Sequence, residues 1–184
     1  MKRSTIIIIV VVVLILGYIG VSYNGLVTAS ASADAQWAQV ETQYQRRFDL
    51  IPNLVNAVKG AMKQEQAVFD AIADARTRYS GAATASDKAE AASEVESAYA
   101  RLLVVMENYP TLKSSENVMT LQAQIEGTEN RISVERGRYN DAVRDYNLRV
   151  ARFPSSLVAG TFGFGAKAYF QSAAGADTAP TVEF

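Results

Sequence analysis

The chain has 184 residues, 49% hydrophobic and 20% charged, with 18 Lys plus Arg against 19 Asp plus Glu, the balance of a folded domain and not of a disordered one. It contains no cysteine and no histidine, which excludes disulfides, thiolate nucleophiles, His-ligated metal centres and every Ser-His-Asp or Cys-His arrangement. A formal net charge of −1 leaves no field to attract nucleic acid, and 11 Gly and 4 Pro interrupt the chain little, which favours long elements.

Thr5 to Val21 is uncharged and almost wholly apolar, and with Ser4 and Ser22 to Tyr23 it reaches the roughly 20 residues that span a bilayer. A core strand of Ile and Val would be about a third as long. A cleaved signal peptide is the closer alternative, because Lys2 and Arg3 precede the run and small residues follow at Ala29 to Ala33. The length favours a retained anchor over residues 1–23, with Ile6, Val11, Leu14 and Gly17 in the hydrocarbon and Tyr18 and Tyr23 placed like interfacial aromatics. The amino terminus, Lys2 and Arg3 lie before the segment and no Lys or Arg follows it until Arg46. The N-terminus is therefore expected in the cytoplasm and the rest outside a bacterial inner membrane.

The body, residues 24–153, is helical by periodicity. Trp37, Val40, Tyr44, Phe48, Ile51, Val55, Val58 and Met62 recur every 3 or 4 residues, and Phe69 and Ile72 extend the row, which predicts one long amphipathic helix ending near Ser80-Gly81. Pro52 lies inside it and removes a donor, so the helix should kink there, or break with Asp49 as N-cap. A second helix is expected from Thr84-x-x-Asp87, a capping-box pattern, with Ala92, Val95, Tyr99, Leu102 and Met106 facing inward, and Asn108-Tyr109-Pro110 closes it. The third spans about Ser115 to Arg152, its inward row Leu121, Ile125, Thr128, Ile132, Glu135, Tyr139, Ala142 and Tyr146. Thr128 and Glu135 need polar partners if buried.

Residues 154–171 are apolar and rich in glycine, too short and too broken to span a membrane, and expected to pack on the bundle or against the lipid surface; 172–184 are expected to form a loose tail. Short connections predict an all-α, up-down antiparallel bundle. A first soluble helix of about 75 Å beside a second of about 35 Å would overhang it and leave an apolar stripe for self-association.

These residues carry a resemblance. Tyr23-Asn24-x-Leu26-Val27, Trp37-x-x-Val40, Arg46-Arg47-x-Asp49-Leu50-Ile51-Pro52-Asn53-Leu54-Val55, Glu126-Gly127-Thr128-Glu129-Asn130-Arg131-Ile132 and Tyr139-Asn140-x-Ala142-Val143 are motifs in which the chain resembles the LemA family of bacterial membrane-anchored helical proteins. The match runs from Tyr23 to Phe170. It implies one N-terminal membrane helix, an antiparallel helical bundle and no established enzymatic activity. It also implies a link to an HtpX-type membrane metalloprotease in envelope quality control, and a relative among magnetosome proteins. Family descriptions that place the bundle in the cytoplasm conflict with the flanking charges, which are preferred here.

Arg46, Arg47 and Asp49, one turn before Pro52, read as a salt-bridge network pinning the kink, with partner docking as the other use. Glu126, Glu129 and Asn130 share a helix face beside Gly127, which permits a close backbone approach. Two carboxylates could act as an acid/base pair or hold a cation, but nothing else supports that. A polar network with Arg46, Arg47 or Arg131 that sets helix register is preferred. Gly160-x-x-Gly163-x-Gly165 lacks the strand and Lys-Ser ending of a phosphate loop and reads as a flexible apolar segment.

The expected function is a non-enzymatic, membrane-anchored scaffold or adaptor that self-assembles in the envelope, with no cofactor, no metal and no nucleic-acid partner. A hydrolase using Glu126 and Glu129, or a lipid-surface module using Leu157 to Phe170, are the other readings.

Overall fold

The computed structural model describes residues 3–170, and among them every regular element is a helix. In chain order these are α1 (Arg3–Lys59), α2 (Gln66–Gly81), α3 (Ala85–Met106), α4 (Pro110–Lys113), α5 (Glu116–Ala151) and α6 (Ser155–Phe162). The tail expected at 172–184 lies outside the described residues.

The single helix expected from Trp37 to Gly81 is corrected: α1 stops at Lys59 and α2 starts at Gln66. Gly60 is the weakest helix former in that stretch after Pro52. There the Ala61 and Met62 N–H groups both bond the Val58 carbonyl, at 3.0 and 3.1 Å, which tightens and ends the last turn. The reversal keeps Met62 in the core and brings Phe69, Ile72, Ala75 and Tyr79 of α2 inside as well. The apolar row from Val40 to Met62 is thus largely covered within the chain. Pro52 sits inside α1 without a break, which removes the alternative of a new helix capped by Asp49.

The described chain divides into two compact units. One comprises residues 3–38 and 137–169; the other comprises 39–136 and 170. In the second, α1 contributes Val40, Tyr44, Phe48, Ile51, Leu54 and Val58, with Leu54 buried in place of the expected Val55. Helices α2 and α3, joined by three residues, pack on each other. The Thr84 hydroxyl accepts the Asp87 N–H at 3.1 Å and caps α3 as its sequence suggests. Tyr44, Phe48 and Tyr79 form an aromatic trio with ring centroids 4.6 to 5.8 Å apart. On α5, Val118, Ile125, Thr128 and Ile132 are buried, while Leu121 and Glu135 are half-buried.

The first unit holds the apolar run of α1. Ile6, Val11, Leu14, Gly17 and Tyr18 are all exposed, and α1 is the one described helix long and apolar enough to cross a membrane. Leu26, Val158 and Ala159 form a small core flanked by Ile19, Val150 and Phe164. Val143 fills the α5 core position expected for Ala142, which is half-buried.

The flexible segment expected at 160–165 is corrected as well. Residues through Phe162 are helical, Gly163 takes the left-handed conformation (φ 77°), and the Phe164 N–H bonds the Ala159 carbonyl at 2.9 Å. The stretch after it is tied to α5. The Tyr146 hydroxyl donates to Gly165 O at 2.8 Å and the Tyr139 hydroxyl to Ala168 O at 3.0 Å. Asn147 exchanges two bonds with the Lys167 backbone, at 2.9 and 2.8 Å.

Candidate functional site

In the second unit a polar chain joins α1, α3 and α5. Arg47 stands in the α1 row between Tyr44 and Ile51, so helical spacing aims a cation into an apolar face, where it is only 6% exposed. Its Nη1 donates to the Glu129 carboxylate on α5 and lies 3.5 Å from Glu96 Oε1 on α3. Arg136 on α5 donates from Nη2 to the same Glu96 oxygen at 2.6 Å, and its Nε and Nη2 both reach the Tyr44 hydroxyl, Nε at 3.0 Å. The order along this chain is Glu129, Arg47, Glu96, Arg136, Tyr44, so two cations alternate with two anions and the charges cancel.

Aromatic rings complete the surroundings. The Arg136 guanidinium lies 5.3 Å from the Tyr44 centroid and 4.4 Å from that of Phe170, and Arg47 lies 5.8 Å from Tyr99. Burial pushes the Tyr44 hydroxyl well above the ordinary tyrosine range, with Glu96 adding to it against the opposing pull of Arg136. Burial likewise lifts Tyr99 to about 12, and lifts Tyr79 to about 12 with help from Glu41. Two polar atoms here, Arg47 Nε and the Tyr99 hydroxyl, are buried without a hydrogen-bond partner among the described residues. Such a chain ties helices in one register, since sliding any of the three would strand a buried charge.

Sequence reasoning placed Arg47 and Glu129 in a register-setting network, and the structure brings those two together. It does not bring in the others. Arg46, Asp49 and Asn53 are exposed, and Asp49 accepts a bond from Gln45 of its own helix at 2.9 Å. The salt-bridge cluster expected to pin Pro52 is therefore corrected: Arg47 pairs with α3 and α5, and Pro52 is half-buried. Glu126, Asn130 and Arg131 are exposed, while Glu129, the other carboxylate of the hydrolase reading, pairs with Arg47. Gly127 does not mark a close approach, because a Cβ built there meets nothing within 4 Å. Thr128 is buried and satisfied locally, its hydroxyl donating to Ile125 O at 2.6 Å.

In the first unit Trp37 meets the buried Tyr139 ring edge-on at 5.2 Å, and Asn140 is half-buried. Tyr23 presents its ring to Phe162 and Phe164, at 5.0 and 5.6 Å. Lys167 pairs with Asp34 and stands 5.6 Å from the Tyr146 ring.

Glu96, Arg136, the Tyr44 hydroxyl, Asn147 and Lys167 were missed. Glu96 had a signal: it sits 4 after Ala92 and 3 before Tyr99, inside the apolar row of α3. Arg136 stands 7 residues, two turns, after Glu129 on the same face.

The LemA family model matches residues 36–184. The chain is also similar to the magnetosome proteins MamQ 2 and MamQ 1 of Paramagnetospirillum magneticum, each 26% identical over 182 residues, covering 85% of this chain and 67% of the relative. Magnetosome protein MamQ of Magnetospirillum gryphiswaldense is 24% identical over the same coverage.

Proposed function

This chain belongs to the LemA family, and on that premise we propose that it is a single-pass membrane protein whose helical body stands outside the cytoplasm as a non-enzymatic scaffold or adaptor for envelope proteins. The observation that carries the reading is α1. Its exposed apolar run continues without a break into the helix that bears Tyr23, Leu26 and Trp37, so the anchor and the start of the body are one element. Lys2 and Arg3 precede the run and no Lys or Arg follows it until Arg46, which supports the orientation. The finer architecture belongs to the same proposal: an antiparallel up-down arrangement of the long helices, with α1 bent at Pro52. Crossed pairs support the first point, since Tyr44 meets Arg136 and Arg47 meets Glu129, so numbers rise on α1 as they fall on α5.

The scaffold role draws support from the polar chain, which engages its charged groups with one another. Self-association is part of the proposal on narrower ground than the sequence offered: apolar positions exposed on the body, such as Val104 and Met119, and the uncovered run of α1. A partnership with an HtpX-type membrane metalloprotease is carried from the family resemblance. The test is a single cysteine at the exposed Ser97, in a chain with no native thiol. An impermeant maleimide should label it on intact spheroplasts, and labelling only after lysis would overturn the orientation. A photocrosslinker at Val104 or Met119 should capture neighbouring envelope proteins or a second copy. Recovery of uncrosslinked monomer alone, together with monomer by native mass spectrometry in nanodiscs, would overturn the scaffold.

A further inference from the structure

Alongside the apolar run of α1 lies α6, and the two bound a groove of about 580 Å³. Val11, Leu14 and Ile15 line one wall and Leu157, Val158 and Phe162 the other. Hydroxyls enter only from Tyr18 and Thr161, and the Thr161 hydroxyl is already bonded to Leu157 O at 2.8 Å. If α1 crosses the bilayer at these residues, the groove wall that includes Val11 and Leu14 stands in hydrocarbon, and α6, whose Val158 and Ala159 pack with Leu26 and whose Phe162 meets Tyr23, adjoins it from the interfacial end of the span.

The chemistry of α6 suits that place. Its eight residues carry no charge, and Leu157, Phe162 and the adjoining Phe153 are all exposed. A helix in lipid must satisfy its own ends. The Ser156 and Leu157 N–H groups bond the Arg152 and Pro154 carbonyls at 2.7 and 3.2 Å, and the Ser155 hydroxyl donates to the Arg149 and Arg152 carbonyls at 2.6 and 2.8 Å. At the other end the left-handed Gly163 closes the last turn through Phe164. Eight residues extend about 12 Å, well short of the roughly 30 Å hydrocarbon core, so α6 occupies one leaflet.

Two cations lie near the groove in the chain. Arg149 and Arg152 are exposed, Arg152 is two residues before Pro154 of the groove, and an Arg149 Nη lies against Gly25, just beyond Tyr23. An apolar slot with two exposed cations in the adjoining chain suits a phospholipid, whose chain would enter the slot and whose phosphate would meet the arginines.

We propose that α6 is a second, half-depth membrane element on the side of the helical body, and that one acyl chain of an anionic phospholipid fills the α1/α6 groove with its phosphate on Arg149 and Arg152. This rests on the reading that α1 crosses the bilayer, and the two can fail separately. Nitroxide labels on single cysteines at Leu14, Leu157, Phe162 and Ser97 are placed in the full chain, reconstituted in phosphatidylglycerol/phosphatidylethanolamine vesicles. Their relaxation is measured with oxygen and with a water-soluble nickel chelate. Labels at Leu157 and Phe162 should match Leu14, favouring oxygen several-fold over nickel, and Ser97 should show the reverse. Leu157 and Phe162 matching Ser97 while Leu14 stays lipid-like would overturn the inference alone; a water-like Leu14 would overturn the anchor beneath it. Native mass spectrometry of the detergent-released chain should show one retained phosphatidylglycerol, reduced about tenfold in R149Q/R152Q and also in T161W, which fills the slot. Undiminished retention in T161W, or a dimer in place of the lipid, would remove the acyl chain as occupant.

Discussion

Arg136 reaches the Tyr44 hydroxyl with two of its nitrogens while holding Glu96, so a single guanidinium on α5 fastens both α1 and α3. Tyr44 is fully buried, and its ring also stacks on Phe48 at 5.6 Å. Tyr44→Phe keeps the ring and removes only the oxygen. It should destabilise the full chain by about 1.5–3 kcal/mol, the usual worth of a bond to a charged group. Because Glu96 shares the guanidinium, Tyr44→Phe and Glu96→Gln should be non-additive by about 1 kcal/mol in a double-mutant cycle, read by denaturation in nanodiscs. Strict additivity would show that the two bonds act independently.

Arg47 is the charge that the fold holds deepest. Arg47→Ala strips Glu129 of its partner and opens space beside Tyr99, and should cost roughly 2–4 kcal/mol; the half-exposed Glu129 side chain lowers the figure from that of a fully buried pair. Arg47→Met combined with Glu129→Gln keeps the volume without the charges and should recover at least half of that loss. Thermal unfolding followed by circular dichroism distinguishes the two.

Two glycines should respond to alanine in opposite directions. Gly127 is exposed in the interior of α5 with open space around it, so Gly127→Ala should stabilise by about 0.5–1 kcal/mol through helix propensity. Gly163 is left-handed at φ 77°, where a Cβ is strained, so Gly163→Ala should destabilise by about 1–2 kcal/mol. Hydrogen exchange at the Phe164 amide should report the second change locally.

Alkaline pH should unfold the protein through its tyrosines. Tyr79 and Tyr99 are raised to about 12, and Tyr44 further still, chiefly because burial disfavours the phenolate. The unfolded chain ionises near 10 and the folded chain later, so the unfolded state loses protons first. Stability should be level below about pH 10 and fall as pH rises toward 12. Phenolate absorbance at 295 nm should then show a phase that coincides with loss of helix. Tyr44, Tyr79 and Tyr99 ionising near 10 with helix intact would contradict this.

Asn147 clamps both backbone groups of Lys167. Asn147→Ala should release the stretch after α6 and abolish exchange protection at the Lys167 amide, at a cost of about 1–3 kcal/mol for two half-buried bonds.

Much of the helix content was legible from apolar spacing. Val40, Tyr44, Phe48, Ile51, Val58 and Met62 are all buried as their periodicity predicts, as are Ala92, Val95, Tyr99, Leu102 and Met106. The break at Gly60 was not, because Phe69 and Ile72 continue the same row and period alone cannot show a reversal in direction. Of the polar site, Arg47 was visible as a cation in an apolar row. Its partners on α3 and α5 lie 49 and 82 residues away, distances at which local spacing carries no signal.

By itself the amino-acid order determined an all-helical chain with a membrane-length apolar helix at its start, and excluded thiol and imidazole chemistry, because periodicity, hydropathy and side-chain inventory are local properties. Only the tertiary structure decided that Arg47 meets Glu129 and not Asp49, that Arg136 clasps Tyr44, and that α6 returns to lie along α1. Each of those choices depends on which buried charges and apolar faces the folded chain brings within a few ångströms, and residues far apart in sequence settle it together.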